Sequence, residues 1–219
     1  MGYTTDFDGS LKISRPLTKK QTEYINRLGE TRRMKRDVNV LMSLYKGKHG
    51  NPFAKDKTNA QEVYGHEGEF FAKDDGNMGQ SNDNSILDFN CPPGQKGFTQ
   101  GHTDKGQPGL WCQWGITEDG DKLEWDGGEK FYNYVEWLNY LIKNFFIPWG
   151  RKLNGDILWY GEDRDDFGKI KVRNNEVFIF AGEIEYSKEP EKVSKGGIPN
   201  ALILIGVIVA FGAVMALVL

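Results

Sequence analysis

The chain has 219 residues, of which 27% are charged and 13% are aromatic. This length suffices for one globular domain of ordinary size with appendages, and the aromatic side chains can supply its core. The formal net charge of -3 excludes a general electrostatic affinity for nucleic acid, so we expect no nucleic-acid partner.

The N-terminal part predicts short strands followed by two helices. Residues 3–7 and 11–13 have strand character on either side of a predicted turn at Asp8-Gly9. Thr18 with Gln21 forms a capping box, which predicts a helix of about three turns. A second helical stretch contains the apolar and aromatic residues Val38, Leu41, Met42 and Tyr45.

Residues 47–109 have a different character, with abundant Gly, Asn, Asp, Lys and Pro and only islands of apolar residues. Because so long an irregular segment is unusual inside a domain, we interpret it as an insertion that either wraps the surface or is locally disordered. The islands at Phe70-Phe71, Ile86-Leu87 and Phe89 predict that it is pinned in two or three places. Cys91 and Cys112 are predicted to be free buried thiols rather than a disulfide pair.

The stretch from Trp125 to Trp149 predicts a central helix, because its apolar residues recur at steps of three and four. Asp126 with Gly127 and Gly128 is expected to open this helix, and Pro148 with Gly150 to close it. Strands are predicted on both sides, at residues 110–116, 122–125, 157–160, 169–172, 177–181 and 183–186. The order indicates an α+β domain over residues 1–186, with a mainly antiparallel sheet packed on one central helix and helices near the N-terminus.

The last nineteen residues, which begin at Ala201 and end at Leu219, contain no charge and no hydrogen-bonding side chain. A helix of this length reaches about 28 Å, close to the ~30 Å thickness of a bilayer core, which predicts a single transmembrane helix. Residues 187–200 form the predicted linker, and its three lysines place the preceding domain in the cytoplasm by the positive-inside rule. Close helix approach through the small residues of one face would give a homodimer, and these residues are Gly206, Ala210 and Ala213.

Two runs of charge are the first candidates for a binding site. The basic run comprises Arg32, Arg33, Lys35 and Arg36, and guanidinium groups bind oxyanions bidentately. A solvated helical face is the simpler interpretation. The acidic run comprises Glu162, Asp163, Asp165 and Asp166, which could hold Ca²⁺ or Mg²⁺ or form a solvated turn.

The aromatic residues give a third candidate. Asp126 and Glu129 flank the predicted start of the central helix beside Trp125, and a carboxylate there is favoured by the helix dipole. Most of the tryptophans are expected in the core, but two or three would line a recognition surface. The chain contains no P-loop, dinucleotide fingerprint or nucleophile elbow, so no cofactor is expected.

Several motifs resemble an uncharacterised family of proteins found in bacteria and phages. They are GYTTDFDG, ETRRMKR, MGQ, DFNCPP, WDGGEKFYNYVEWLNYLI and LNGDILWYGEDRDDFGKI, and the similarity covers most of residues 2–180. The resemblance implies a single folded domain, whereas the linker and membrane tail depart from the soluble members. The family has no established activity, so the resemblance transfers no catalytic or binding residue.

These patterns lead to two functional hypotheses of different classes. The favoured one is a tail-anchored, non-enzymatic binding module that faces the cytoplasm and recognises a protein partner or an acidic ligand. The alternative is a small metal-dependent hydrolase or nucleotide-processing enzyme that uses Glu129, Asp163 and Asp165.

Overall fold

The fold of the chain was analysed in a computed structural model, which describes residues 2–73, 82–96, 106–184 and 212–214. The described residues form an α+β fold with a mainly antiparallel sheet and four α-helices, which confirms the predicted fold class. The helices are α1 (Lys19–Glu30), α2 (Val38–Tyr45), α3 (Ala60–Tyr64) and α4 (Tyr134–Leu141).

The main sheet of the described residues has seven strands, and each neighbouring pair is antiparallel. Its strands are β1 (Thr5–Ile13), β4 (Trp114–Ile116), β5 (Lys122–Trp125), β6 (Leu153–Gly161), β7 (Phe167–Arg173), β8 (Glu176–Ala181) and β9 (Gly212–Val214). Their order across the sheet is β4-β5-β1-β6-β7-β8-β9. Alternate residues of the inner strands face one core, as in Leu11, Ile157 and Ile170.

The first strand is continuous, so the predicted turn at Asp8-Gly9 is wrong. β1 pairs with β6 from Thr5 to Ile13 without interruption. Gly9 lies opposite Ile157 with φ of +106°, and a Cβ there would come 2.6 Å from the Asp156 carbonyl oxygen. The Asp-Gly pair therefore serves a close strand approach rather than a hairpin.

The central helix begins later than the sequence pattern predicts. Asp126 accepts a hydrogen bond from the Gly128 amide at 2.8 Å, which makes a local turn instead of a helix cap. Lys130 and Asn133 both have positive φ, so the chain becomes helical only at Tyr134. A π-helical segment, Ile142–Phe146, follows α4, and the two together bury Trp137, Leu138, Leu141, Ile142, Phe145 and Phe146.

The N-terminal capping box is confirmed, since the Thr18 hydroxyl and the Gln21 side chain bond reciprocally to the start of α1. Further along α1, the Asn26 side chain accepts from the Ile116 amide at 2.7 Å and donates to its carbonyl at 3.0 Å. These two bonds occupy the outer edge of β4 in the way that a neighbouring strand would. Such coverage protects an edge strand from pairing with other chains.

Residues 47–109 are more ordered, where described, than the interpretation as an irregular insertion implies. They contain α3, a 3₁₀ turn at His66–Gly68, and β3 (Ile86–Asp88), which pairs with β2 (Lys35–Arg36) in a separate two-stranded sheet. This part also contributes to a second small core, which consists of Val38, Leu41, Ala54, Val63, Tyr64 and Phe71. Phe71 and Ile86, from two of the predicted islands, do pin the segment.

The predicted linker and most of the predicted membrane helix lie outside the described residues. The part of the chain that the structure describes contains no helix long and apolar enough to cross a membrane. Of residues 201–219, only 212–214 are described, and their backbone forms β9 beside β8. The transmembrane helix and the homodimer through it therefore stay predictions.

Candidate functional site

The four cations of the basic run do not share one surface. Residues 32–34 follow the end of α1 as an irregular segment, and Lys35 and Arg36 form β2. Arg33 and Arg36 are each only 1% exposed, whereas Arg32 and Lys35 are half-buried. The run is thus neither a solvated helical face nor an anion site of four cations, because Arg33 and Arg36 are buried in internal contacts.

Arg33 joins α1 to the segment around Phe71. Its guanidinium donates to the Leu28 carbonyl at 3.2 Å and to the Phe71 carbonyl. Burial lowers the pKa of Arg33 to about 10, since a charge is costly away from water. These carbonyl contacts indicate a structural role for Arg33.

Arg36 connects β2 to residues 83–85. Its guanidinium contacts the Asp83 carboxylate at 2.9 Å and the Ser85 hydroxyl at 2.7 Å. The Tyr45 hydroxyl donates to the same carboxylate at 2.9 Å. Desolvation acts to raise the pKa of Asp83, but hydrogen bonds from Ser85 and the charge of Arg36 outweigh it and hold that pKa below its ordinary value.

Arg32 is the member of the run that reaches an exposed aromatic surface. Its guanidinium carbon lies 4.4 Å from the centre of the Phe89 ring and 5.9 Å from that of Trp111. Leu87 of β3, close in sequence to Phe89, is 62% exposed, and Phe89 is 39% exposed. We call these four residues, Arg32, Leu87, Phe89 and Trp111, the Arg32 surface.

The Arg32 surface is held by hydrogen bonds rather than by loose loops. The Arg32 Nε donates to the Phe89 carbonyl at 3.2 Å, and its Nη2 donates to the Asn90 side chain at 3.2 Å. Lys35 forms an ion pair with Glu67 at 3.3 Å, and its amide donates to the Cys91 carbonyl at 3.0 Å. Cys91 and Cys112 are both buried and are not joined in a disulfide, as predicted. The surface is therefore preorganised.

The acidic run makes contacts with the N-terminus instead of converging on one point. The Asp166 carboxylate accepts from the Tyr3 hydroxyl at 2.6 Å and from the Trp159 indole at 3.2 Å. Glu162 accepts from the Thr4 amide at 2.7 Å, while Asp163 and Asp165 are exposed. Among the described residues, no group of three or more His, Cys, Asp or Glu is placed to hold a metal ion.

Trp125 and Glu129 lie on another element, at the end of β5 and in the loop that follows. The Trp125 indole donates to the Gln113 side chain at 3.3 Å and to the Gly128 carbonyl at 3.2 Å. Its ring packs edge-on against Phe7 at 5.5 Å. The Glu129 side chain is exposed, 3.9 Å from the Lys130 ammonium. The Trp125 side chain therefore serves the packing of the loop, whereas the Glu129 side chain does not.

A groove of about 800 Å³ runs beside α1, lined by Lys19, Glu23, Asn26, Arg27, Glu30 and Asp119 among others. Small-molecule sites are mostly apolar with a few convergent polar groups. This lining is dominated by charged and polar side chains of both signs, so we assign no ligand to the groove.

The sequence analysis named Arg32 but missed its partners. The sequence predicts only that Phe89 and Leu87 hold residues 47–109 against the domain, and it does not predict that Leu87 is exposed. These partners come close to Arg32 because β3 pairs with the basic run, which joins residues about fifty apart in sequence. A local sequence pattern does not reveal such a pairing. Trp114, Trp137 and Trp159 are buried in the core, as expected for most tryptophans. Trp125 and Trp149 are half-buried against that core, and Trp111 is half-buried. That two or three tryptophans line a recognition surface stays a prediction.

Comparison of the chain with protein-family models, curated proteins and solved structures finds no match.

Proposed function

We propose that the protein is a membrane-tethered, non-enzymatic interaction module that binds a protein partner through the Arg32 surface. The observation that carries this proposal is an arginine that packs against two aromatic rings on a hydrogen-bonded platform, with an exposed leucine two residues before one of these aromatic residues in the sequence. Exposed apolar side chains grouped in this way are typical of interaction sites.

The composition of the surface favours a protein over a small anion. Binding hot spots are enriched in Trp and Arg and cluster where side chains can be desolvated together. Arg32 already loses solvent to its aromatic neighbours, and this desolvation lowers its pKa. Because the guanidinium is held in place, less side-chain entropy remains to be lost when a partner binds.

The tether rests on the apolar residues 201–219. Twelve of these nineteen are Leu, Ile, Val or Phe, and their insertion into a bilayer is favourable by about 4–7 kcal/mol in sum. With the lysines of residues 187–200 on the cytoplasmic side, the Arg32 surface would face cytoplasmic partners.

The hydrolase alternative has less support from the geometry. Asp166 and Glu162 accept hydrogen bonds from Tyr3, Trp159 and Thr4, so two of the four acidic side chains of that loop already have protein partners. Glu129 belongs to the loop after β5 and pairs with Lys130. Among the described residues, no group of three or more His, Cys, Asp or Glu side chains is placed to hold a metal ion, and this includes Glu129, Asp163 and Asp165.

The test is a quantitative pull-down from detergent-solubilised membranes with the full chain and two matched variants. Leu87→Glu places a charge in the Arg32 surface, and Leu44→Glu places one on α2, where Leu44 is similarly exposed at 48%. We expect a stoichiometric protein partner that is retained by Leu44→Glu and reduced at least about tenfold by Leu87→Glu, since truncated or charged hot spots cost ~2 kcal/mol or more. Equal capture by both variants, or no protein partner at all, would contradict the proposal.

A further inference from the structure

A second exposed apolar patch lies just beyond the π-helical segment. Ile147 is 58% exposed, and Phe53 is 41% exposed on the loop that precedes α3. The Trp149 ring lies 5.3 Å from Phe53 and 5.5 Å from Phe145, so it joins the patch to the core. We call Phe53, Ile147 and Trp149 the Trp149 face.

The Trp149 face is rigid. The Ile147 amide donates to the Ile142 carbonyl at 2.9 Å, and the Trp149 amide donates to the Phe145 carbonyl at 3.0 Å. The Arg151 guanidinium donates to the Trp149 carbonyl at 2.8 Å. The backbone that carries Ile147 and Trp149 therefore continues the helical hydrogen bonds of the core segment.

Two lysines lie on the Phe53 side of the Trp149 face. The Lys20 ammonium lies 5.6 Å from the centre of the Phe53 ring. Lys57 is close enough to Lys20 for the two charges to interact, and partial burial followed by this repulsion lowers the pKa of Lys57. Residues 137–155 contain no Asp or Glu and two lysines, Lys143 and Lys152, while the Arg151 side chain in this range is buried.

The acidic groups near Lys57 are engaged locally. The Asp56 carboxylate accepts from the Thr58 amide at 2.8 Å and from its hydroxyl at 2.7 Å. The Glu62 carboxylate accepts from the Lys55 amide. These two carboxylates close turns within the loop, whereas Lys20 lies over the aromatic face itself.

We infer that the Trp149 face docks on an anionic membrane surface. Tryptophan and other amphipathic rings favour the headgroup region of a bilayer, and lysines are attracted to its anionic lipids. This inference rests on the proposed tether, because residues 187–200 span at most about 50 Å when fully extended and so keep the domain near the bilayer. At that effective concentration a modest affinity of the face suffices to orient the domain.

The experiment uses the full chain in vesicles with a polarity-sensitive fluorophore on a single introduced cysteine. Ile147→Cys places the label on the Trp149 face, and Tyr160→Cys places it on β6 at a position that is 48% exposed. Both native cysteines are buried, which favours labelling at the introduced one. The vesicles contain phosphatidylcholine alone or phosphatidylcholine with phosphatidylserine.

We expect the label at position 147, but not that at 160, to shift to the blue and intensify in vesicles with phosphatidylserine. Lys20→Glu with Lys57→Glu should weaken this docking by more than roughly thirtyfold, because each lysine near an anionic surface favours binding about fivefold and the reversed charges add repulsion. The inference is overturned if the label at 147 does not respond to phosphatidylserine. It is also overturned if the label at 160 responds equally, or if the label at 147 responds equally in phosphatidylcholine alone.

Flotation of the unlabelled chain with phosphatidylcholine vesicles separates this result from the proposed function. If the chain floats but its label at 147 does not respond, the tether is supported and the docking face is overturned. A chain that does not float loses the tether, and a label that then still responds to phosphatidylserine supports the face as a lipid-binding surface in its own right.

Discussion

At the scale of single residues, the buried thiol of Cys112 predicts a pH dependence of stability. Its side chain is buried in the main core, and burial raises the pKa of the thiol to about 12 from an ordinary value of 9. The native state thus keeps its proton between pH 9 and 12, whereas the unfolded state loses it above pH 9. The stability contributed by the neutral thiol is complete below pH 9 and is lost as the pH rises towards 12.

We therefore predict that the free energy of unfolding falls by about 1 kcal/mol from this group between pH 9 and 10. Cys112→Ala should flatten that decline while lowering stability at pH 7 through the small cavity it leaves. Thermal unfolding of the detergent-solubilised chain, followed by near-ultraviolet circular dichroism, measures both effects. An equal decline in the variant would show that the thiol is not protected from ionisation.

At the scale of elements, the contact between Arg36 and Asp83 fastens β3 to β2 and α2. Breaking a buried ion pair by neutralising one partner costs about 3–5 kcal/mol, because the other charge stays away from water. We predict that Asp83→Asn lowers the free energy of unfolding by this amount, and the midpoint of thermal unfolding by roughly 10 °C.

The matched control is Asp156→Asn, which removes a carboxylate 3.1 Å from Arg173 in a pair whose side chains are 44% and 43% exposed. Surface pairs of this kind contribute about 0–1 kcal/mol, so the control should unfold close to the wild type. If the two variants lose similar amounts of unfolding free energy, the ion pair of Arg36 and Asp83 contributes no more to stability than a surface pair.

The elements also show how far the sequence alone could be read. Local patterns with a mechanism succeeded: the capping box of Thr18 and Gln21 is present, and the strands after the central helix alternate as expected. The start of that helix failed because Lys130 and Asn133 adopt positive φ, which apolar spacing does not reveal. The prediction that the basic run is exposed was wrong for Arg33 and Arg36. Their partners, Phe71 and Asp83, lie far along the chain and cannot be identified from the local sequence.

At the scale of the whole molecule, residues 212–214 have two incompatible positions. In the structure they pair with β8, with Val214 opposite Ile179. In the proposed membrane helix the same residues are part of a spanning segment. Three paired residues contribute about 1.5–4.5 kcal/mol in net hydrogen bonding at best, whereas insertion of residues 201–219 contributes about 4–7 kcal/mol. A bilayer should therefore remove β9 from the sheet and leave β8 as its edge.

Cysteine crosslinking tests this competition. Directly opposite residues of antiparallel strands have Cα atoms about 4.5–5.5 Å apart, within the range of a disulfide. We predict that Ile179→Cys with Val214→Cys crosslinks under mild oxidation when no bilayer is present and fails to crosslink once the chain is in vesicles. Asp6→Cys with Tyr160→Cys joins another opposite pair, of exposed residues on β1 and β6, and should crosslink under both conditions. If the 179–214 pair crosslinks equally well in vesicles, β9 stays in the sheet and the apolar segment is not a membrane anchor.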